Sequence, residues 1–278
     1  MQLQVIRLVV ATVLLLGSAV LQAQEAPTIK PDLASIAHEL ERSRDVQEIQ
    51  NLMARRMWFH SVGQNEDELA LWSKKREVRW AQNQGCYVGM KSIALGYDTI
   101  NRKNERAEIE RLSKLNPKIV NDWKSRFVGN TVLHTLNSPL IVVADDLQSA
   151  KALWYTPGAI LTTTDGVKPV GFWIWERYGV DFVKEDGQWR FLNVQVNTDF
   201  MNPMGAPLQP QGPDAAAMGV EGVQANGPKP AFTVPPPDIS KATYREFGAT
   251  RVPTLTPRLP VPYRTLSETF QYADCSGG

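Results

Sequence analysis

The first regular pattern along the chain is helical. Val46, Ile49, Met53, Met57 and His60 recur at spacings of three and four, so they share one face of a helix. Ser43 stands where an N-cap would, which starts that helix near Arg44. His60 then falls on the buried stripe near the C-terminal end, where an imidazole needs a polar partner. Asn65 followed by Glu68 has the spacing of a capping box and predicts a second helix through Leu69 and Trp72. Glu77 to Trp80 reads as extended, Gly85 and Gly89 punctuate the chain, and helix resumes at Ser92. Asn104 to Leu115 is strongly charged, with Ile109 and Leu112 on one side. It reads as a solvated helix that Pro117 closes.

From about Gly129 the period becomes that of strands. Thr131–Leu136 and Leu140–Val143 flank Pro139, which predicts a bulge or a bend. Ser149–Tyr155 is the next strand, and Ile160–Thr164 leads into an Asp165-Gly166 hairpin signal. Val170–Val183 is long and very apolar, Asp186-Gly187 supplies a second tight turn, and Trp189–Val196 ends the series. Helices followed by an antiparallel meander define an α+β class. Phe172–Val183 is apolar on both faces, so both faces should be covered. The helices would take one, and a second subunit is the candidate for the other.

The two ends differ from this middle. In Met1–Ala23, Arg7 precedes the apolar run Leu8–Leu16 and small residues follow. The run is shorter than the ~20 residues a bilayer helix needs, so it reads as a signal peptide cleaved after Ala23. The mature chain is then periplasmic or secreted, with no membrane attachment. Such an address permits disulfides, and the two cysteines, Cys86 and Cys275, allow at most one intrachain bridge. Met201–Ser240 is rich in Pro, Gly, Ala and Gln without periodicity and reads as a linker. Tyr244, Phe247, Tyr263, Phe270 and Tyr272 come after it, too many aromatics for a disordered tail. They predict an ordered extension laid across the domain or a neighbouring subunit. The expected organisation is signal peptide 1–23, lead-in 24–42, domain 43–200, linker 201–240 and aromatic extension 241–278.

Charge narrows the partners. Lys and Arg number 30 against 29 Asp and Glu, a net +1, with no basic run, so nucleic acid is not expected. Eight Trp and seven Tyr make a pocket for a ring-bearing small molecule easy to build. No P-loop, GxGxxG, HExxH or GxSxG motif occurs. The histidines are His38, His60 and His134, none at helical spacing from another ligand, so no metal is expected.

What remains is convergence of a helix and a sheet. Phe172, Ile174, Glu176 and Tyr178 alternate with Trp173, Trp175 and Arg177, and Lys151, Leu153 and Tyr155 alternate with Ala150, Ala152 and Trp154. If His134, Lys151, Glu176 and Tyr178 all face the first helix, they meet His60 in one cavity. The expected catalytic residues are therefore His60, His134, Lys151 and Tyr178. Met57, Tyr155, Ile174 and Glu176 are expected to bind substrate. Each has a plainer reading: a core histidine at His60, a lysine at a sheet rim, a surface pair from Glu176 to Arg177 or Lys184, simple packing at Tyr178. A register slip of one residue turns any strand's members to the other face.

The stretches RSRDVQEIQNLMARRMWFHSVGQNEDELALW, NQGCYVGMKSI, HTLNSPLIVVADDLQSAKALWYTPG and WIWERYGVDFVKEDGQWRF, in that order, resemble the SnoaL-like branch of the nuclear transport factor 2-like superfamily. The resemblance covers about Ser43 to Phe200. It implies a cone-shaped α+β barrel, a bent antiparallel sheet wrapped around N-terminal helices, often assembled as homodimers or homotrimers. It also implies chemistry without a cofactor, since the superfamily holds isomerases, cyclases, dehydratases and lyases for small apolar compounds. Many members carry Asp near the end of the first helix, where this chain has His60-Ser61. The expected function is a cofactor-independent lyase or isomerase acting on a small aromatic or polycyclic compound by general acid–base chemistry. The alternative is a non-enzymatic exported protein that binds an apolar small molecule.

Overall fold

Helix α1 runs Leu33–Ser61, and Asp32 Oδ1 caps it by accepting from the Ser35 amide at 2.7 Å. Ser43 is therefore not the cap. The apolar stripe marks where the helix begins to be buried, near Asp45, and not where it begins. Upstream residues form helix without a covered face; Leu33 and Leu40 are exposed. The computed structural model describes residues 32–97, 109–118, 129, 131–163, 168–208 and 236–275. The expected signal peptide, most of the expected lead-in, the start of the expected charged helix at Asn104, the expected Asp165-Gly166 turn and most of the expected Pro-rich linker lie outside the described residues. The chain divides into two compact units, residues 1–40 and 41–278, and the second carries every strand of the sheet.

The short helix α2, Asn65–Leu69, has Gln64 at its N-cap and no side-chain cap bond, so the Asn65–Glu68 capping box does not form. Glu68 points inward and is fully buried. Trp72 is not helical: it bridges in parallel to Phe191. After β1 (Arg79–Gln82) and β2 (Gly85–Val88), helix α3 (Gly89–Tyr97) begins earlier than Ser92, from Gly89 with φ +82°. Residues 109–115 are helical, as the charged pattern predicts for that part.

The remaining strands are β3 (Thr131–His134), β4 (Asn137–Val143), β5 (Ser149–Thr163), β6 (Pro169–Glu185) and β7 (Gln188–Pro203), with β8 (Ile239–Ser240) from the C-terminal segment. Among the described residues they form one sheet in the order β3-β5-β6-β7-β1-β2-β8, with β4 also on β5. All pairings are antiparallel except β1 with β7. Pro139 does mark a register shift, between Asn137 and Leu140. Asp186-Gly187 is the expected tight turn, both residues at positive φ.

Pro157 and Gly158 do not divide β5 into two strands. They sit where β5 changes partner: β4 pairs as far as Tyr155, and β3 pairs from Gly158. A missing amide is tolerated there. A Cβ on Gly158 would stand 2.1 Å from the Leu133 carbonyl oxygen, so glycine lets β3 approach.

The inner face of the sheet meets α1. Ala150, Ala152, Trp154, Tyr178, Val180, Phe182, Phe191, Val194 and Val196 join Ile49, Leu52, Met53, Met57 and Ile93 in one core. Each large side chain so buried contributes about 1.5–3 kcal/mol. Asp45 fixes α1 where its burial begins, accepting from Trp189 Nε1 at 2.9 Å and pairing with Lys184 at 2.7 Å.

The outer face is covered in part by residues 236–275 of the same chain. Tyr263 and Arg264 carbonyls accept from the Asp145 and Asp146 amides, each at 3.1 Å, and the Tyr272 amide donates to Asp181 Oδ2 at 2.7 Å. Cys86 and Cys275 form a disulfide with Cα atoms 6.2 Å apart. Closing so long a loop removes up to about 5 kcal/mol of unfolded-state freedom in the chain-entropy picture. Residues 236–275 are thus laid on the sheet of their own chain. Farther along the same face Tyr155, Trp173 and Trp175 are exposed.

Lys151 belongs to this outer layer. Its Nζ donates to Asp181 Oδ1 at 2.6 Å, with the Phe270, Tyr272 and Tyr263 rings at 4.4, 5.2 and 5.8 Å. Burial pushes the Lys151 ammonium below its ordinary value and Asp181 above its own, and their mutual attraction opposes both shifts. Lys151→Met leaves Asp181 buried without its cation, and urea unfolding should show a loss of about 3–5 kcal/mol. Gly179 has no room for a side chain, since a Cβ would lie 2.7 Å from Tyr272 Cδ1 and 2.8 Å from Pro257 Cβ. Gly179→Ala should therefore lift the extension, at a loss of about 1–3 kcal/mol, and speed proteolysis between Pro257 and Tyr272.

Candidate functional site

The last turns of α1 carry Arg56 and His60 four residues apart, hence on one face. Glu68 of α2 faces both. Arg56 Nε is 3.0 Å from Glu68 Oε1, and His60 Nδ1 is 3.3 Å from Glu68 Oε2. Both members of the Arg56–Glu68 pair are out of water, a geometry that needs further hydrogen bonds to hold it. The Tyr178 ring supplies one more contact, lying 5.3 Å from the guanidinium carbon.

The sheet brings a second set. His134 ends β3, and its Nδ1 is 3.7 Å from Glu176 Oε2 of β6. The same carboxylate is held at both oxygens: Tyr178 OH donates to Oε2 at 2.9 Å, and Thr198 Oγ1 donates to Oε1 at 3.0 Å. The His60 and His134 ring centroids are 5.7 Å apart with their planes at 39°. The result is two imidazoles, each beside its own carboxylate, at the junction of α1 and the inner sheet face.

Their exposures differ. The His60 side chain is 25% exposed and that of His134 only 4%. Burial holds His134 below the usual imidazole range. Glu176 and a bond to the Thr156 carbonyl oppose that shift, while His60 and Arg56 reinforce it. Neutral imidazole at pH 7 is the consequence. His134 Nδ1 has no hydrogen-bond partner among the described residues, and neither has Thr156 Oγ1, which sits opposite Glu176 in register. Buried polar atoms left open at one place are where a ligand's polar group can bind.

Of the residues expected at the site, His60, His134, Glu176 and Tyr178 meet. Met57 packs in the adjoining core and Ile174 is buried on the same face of β6 as Glu176. Lys151 and Tyr155 do not join them. The β5 residues facing α1 are Ala150, Ala152 and Trp154, so Lys151 is turned under the extension and Tyr155 lies exposed near the Arg177 guanidinium at 5.8 Å. The apolar set of β5 fixes its face, and Lys151 has to take the other. Arg56, Glu68, Thr156 and Thr198 join the site without having been expected there. Arg56 carries a readable signal, three residues after Met53 and four before His60 on the buried stripe. Glu68 carries a misleading one, because its spacing from Asn65 is that of a cap.

A model of the SnoaL-like domain matches residues 41–195, over half of the 278-residue chain. Among curated proteins none matches significantly. Solved structures that align include a nuclear transport factor 2-like protein with a cystatin-like fold from Novosphingobium aromaticivorans. It is 18% identical, with 61% of this chain and 91% of that chain covered and a TM-score of 0.40. The LinA structure aligns at 13% identity, 63% and 99% coverage and a TM-score of 0.41. A hexachlorocyclohexane dehydrochlorinase of the LinA type from Novosphingobium barchaimii aligns at 14% identity, 63% and 99% coverage and a TM-score of 0.40. Likenesses this distant bear on neither reaction nor substrate. The family match and the long helix against a bent, mostly antiparallel sheet agree: this chain belongs to the SnoaL-like domain family, of the nuclear transport factor 2-like fold.

Proposed function

We propose that this protein is a lyase or isomerase that moves a proton at carbon in a small aromatic or polycyclic compound, using side chains alone. The observation that carries the reading is the 5.7 Å approach of two imidazoles, each with a separate carboxylate. His134 is the base. Kept neutral by burial, it offers the Nδ1 lone pair to a substrate C–H, and Glu176 at 3.7 Å stabilises the imidazolium that forms. The electron pair released from carbon forms the new double bond. In an elimination it expels a leaving oxygen that takes its proton from His60; in an isomerisation the proton returns at another carbon. His60, near Glu68 and reached by water, reloads from solvent. Arg56 places fixed positive charge beside the site, where negative charge develops on the substrate.

Support for an apolar, ring-bearing substrate comes from Trp154, Tyr178 and Phe59 in and around the same core. The N-terminal segment and the Cys86–Cys275 disulfide support an exported location.

The test begins with a panel of small aromatic compounds screened by thermal shift, followed by mass analysis of products. His134→Ala should lower turnover by about 10²–10⁴-fold and His60→Ala by a comparable factor, with the fold kept. Full turnover in both variants would remove the histidines from the chemistry. A ligand bound tightly and recovered unchanged under all conditions would favour a carrier instead. The pH profile adds a second check. The base works as neutral imidazole and its folded value is depressed, so the acid limb of the profile should lie below the ordinary imidazole value near 6.5, where pH drops through the lower folded one. An acid limb above that ordinary value would contradict the assignment of His134.

A further inference from the structure

We propose that Asn83 and Glu246 are positioning residues of this site: they hold Thr198, and through its hydroxyl Glu176, in place against His134, so the C-terminal extension is part of the site's machinery. The proposal rests on the acid–base reading for its consequence in turnover, while the chain of bonds stands on geometry.

The chain starts at a defect in the sheet. β7 slips in register against β6 between the Trp175↔Phe200 and Glu176↔Thr198 pairs, leaving Asp199 as the extra residue. A bulge interrupts the ladder and leaves main-chain groups to be satisfied otherwise. β1, the other neighbour of β7, pairs only as far as Ala81↔Gln195. Asn83, buried in the turn after β1, completes the ladder with its side chain. Oδ1 accepts from the Thr198 amide at 3.0 Å, and Nδ2 donates to the Thr198 carbonyl at 2.9 Å.

The carboxamide has one more donor, and it goes to Glu246 Oε1 of the extension at 2.8 Å. Glu246 is 4% exposed. An acceptor-only carboxylate at that point fixes which way the amide faces, because the reversed amide would set an oxygen against Glu246 and an NH₂ against the Thr198 amide. The extension is itself anchored there: the Phe247 amide donates to the Asp199 carbonyl at 2.8 Å, and Arg251 Nη1 donates to the Glu246 carbonyl at 2.9 Å. On the outer side Asp199 is gripped by Arg177 at 2.8 and 2.9 Å and by the Tyr244 hydroxyl. The bulge is thus clamped from outside while Thr198, its neighbour, points inward to Glu176.

The readout is the titration of His134, monitored by NMR of labelled full-length protein without any substrate. Three histidines make assignment simple, and His134→Asn removes the signal of interest. The groups facing His134 are Glu176 and Tyr178 on β6, the Thr156 carbonyl on β5, and Arg56 and His60 on α1. Only Glu176 and the carbonyl favour the imidazolium. If Thr198 is released and Glu176 drifts, the cations remain, and the His134 midpoint should fall by about half a unit or more. Asn83→Ala, Glu246→Ala and Thr198→Val should each show that fall. Thr198→Ser, which keeps the hydroxyl, should restore the wild-type midpoint. Circular dichroism reports whether each variant is folded, and Glu246→Ala decides if Asn83→Ala is not. Folded Glu246→Ala protein with an unmoved His134 midpoint overturns the role of the extension. A shift in Glu246→Ala without one in Thr198→Val overturns the path through Thr198. Should the midpoints move as stated while His134→Ala retains full turnover, the positioning stands and the acid–base reading falls.

Discussion

Alternation along β6 decides which side chains reach the site and which hold the extension. Every second residue from Glu176 through Tyr178, Val180 and Phe182 faces α1 and makes core or site. The residues between them, Arg177, Gly179 and Asp181, hold the C-terminal extension. A strand has no other way to serve two layers at once, and a shift of one residue would exchange them. The long central strand, read in sequence as apolar on both faces, is in fact two interleaved sets with different tasks. One buries Asp181 against Lys151; the other presents Glu176 to His134.

That interleaving explains what the sequence makes legible. The face of α1 is legible because Ile49, Met53 and Met57 keep helical spacing. The strands are legible because tight turns at positions such as Asp186-Gly187 need residues that tolerate positive φ. The approach of His60 to His134 comes from those two patterns. The face of β5 is harder. Ala150, Ala152 and Trp154 alternate with Lys151, Leu153 and Tyr155, and either set could be inward on pattern alone. Small residues are the better guide where a helix must come close, and Lys151 has a buried carboxylate waiting on the other side. The start of α1 is hidden for a related reason: periodicity reports burial, and the first turns of that helix have no buried face.

The parts of the site that the sequence conceals are those made by side chains replacing backbone. Asn83 pairs with Thr198 as a strand would, although it lies in a turn and matches no motif. Glu68 leaves its expected place at a helix start for Arg56 and His60. In both cases an ordinary local reading, a turn or a cap, satisfies the pattern, while the real partners lie in another element. Polar groups brought together across more than a hundred residues carry no periodic signal.

The two imidazole–carboxylate pairs are alike in composition and differ in access to water, and in the proposed reaction this difference gives the site a direction. A base must take no proton from solvent before it meets carbon, so it belongs where desolvation disfavours its charge, as at His134. An acid must be recharged each cycle, so it belongs at an edge, as at His60. Glu176 therefore has a narrower task than Glu68. In the proposed reaction it stabilises a transient imidazolium without moving, which requires both of its oxygens to be held, and they are held by Tyr178 and Thr198. Rigidity at Thr198 comes from Asn83, and rigidity at Asn83 from a carboxylate on the extension. On the proposed linkage, a segment distant in sequence, fastened by a disulfide and by the Tyr272 amide on the buried Asp181, bears on the geometry of one carboxylate on the opposite face of the sheet.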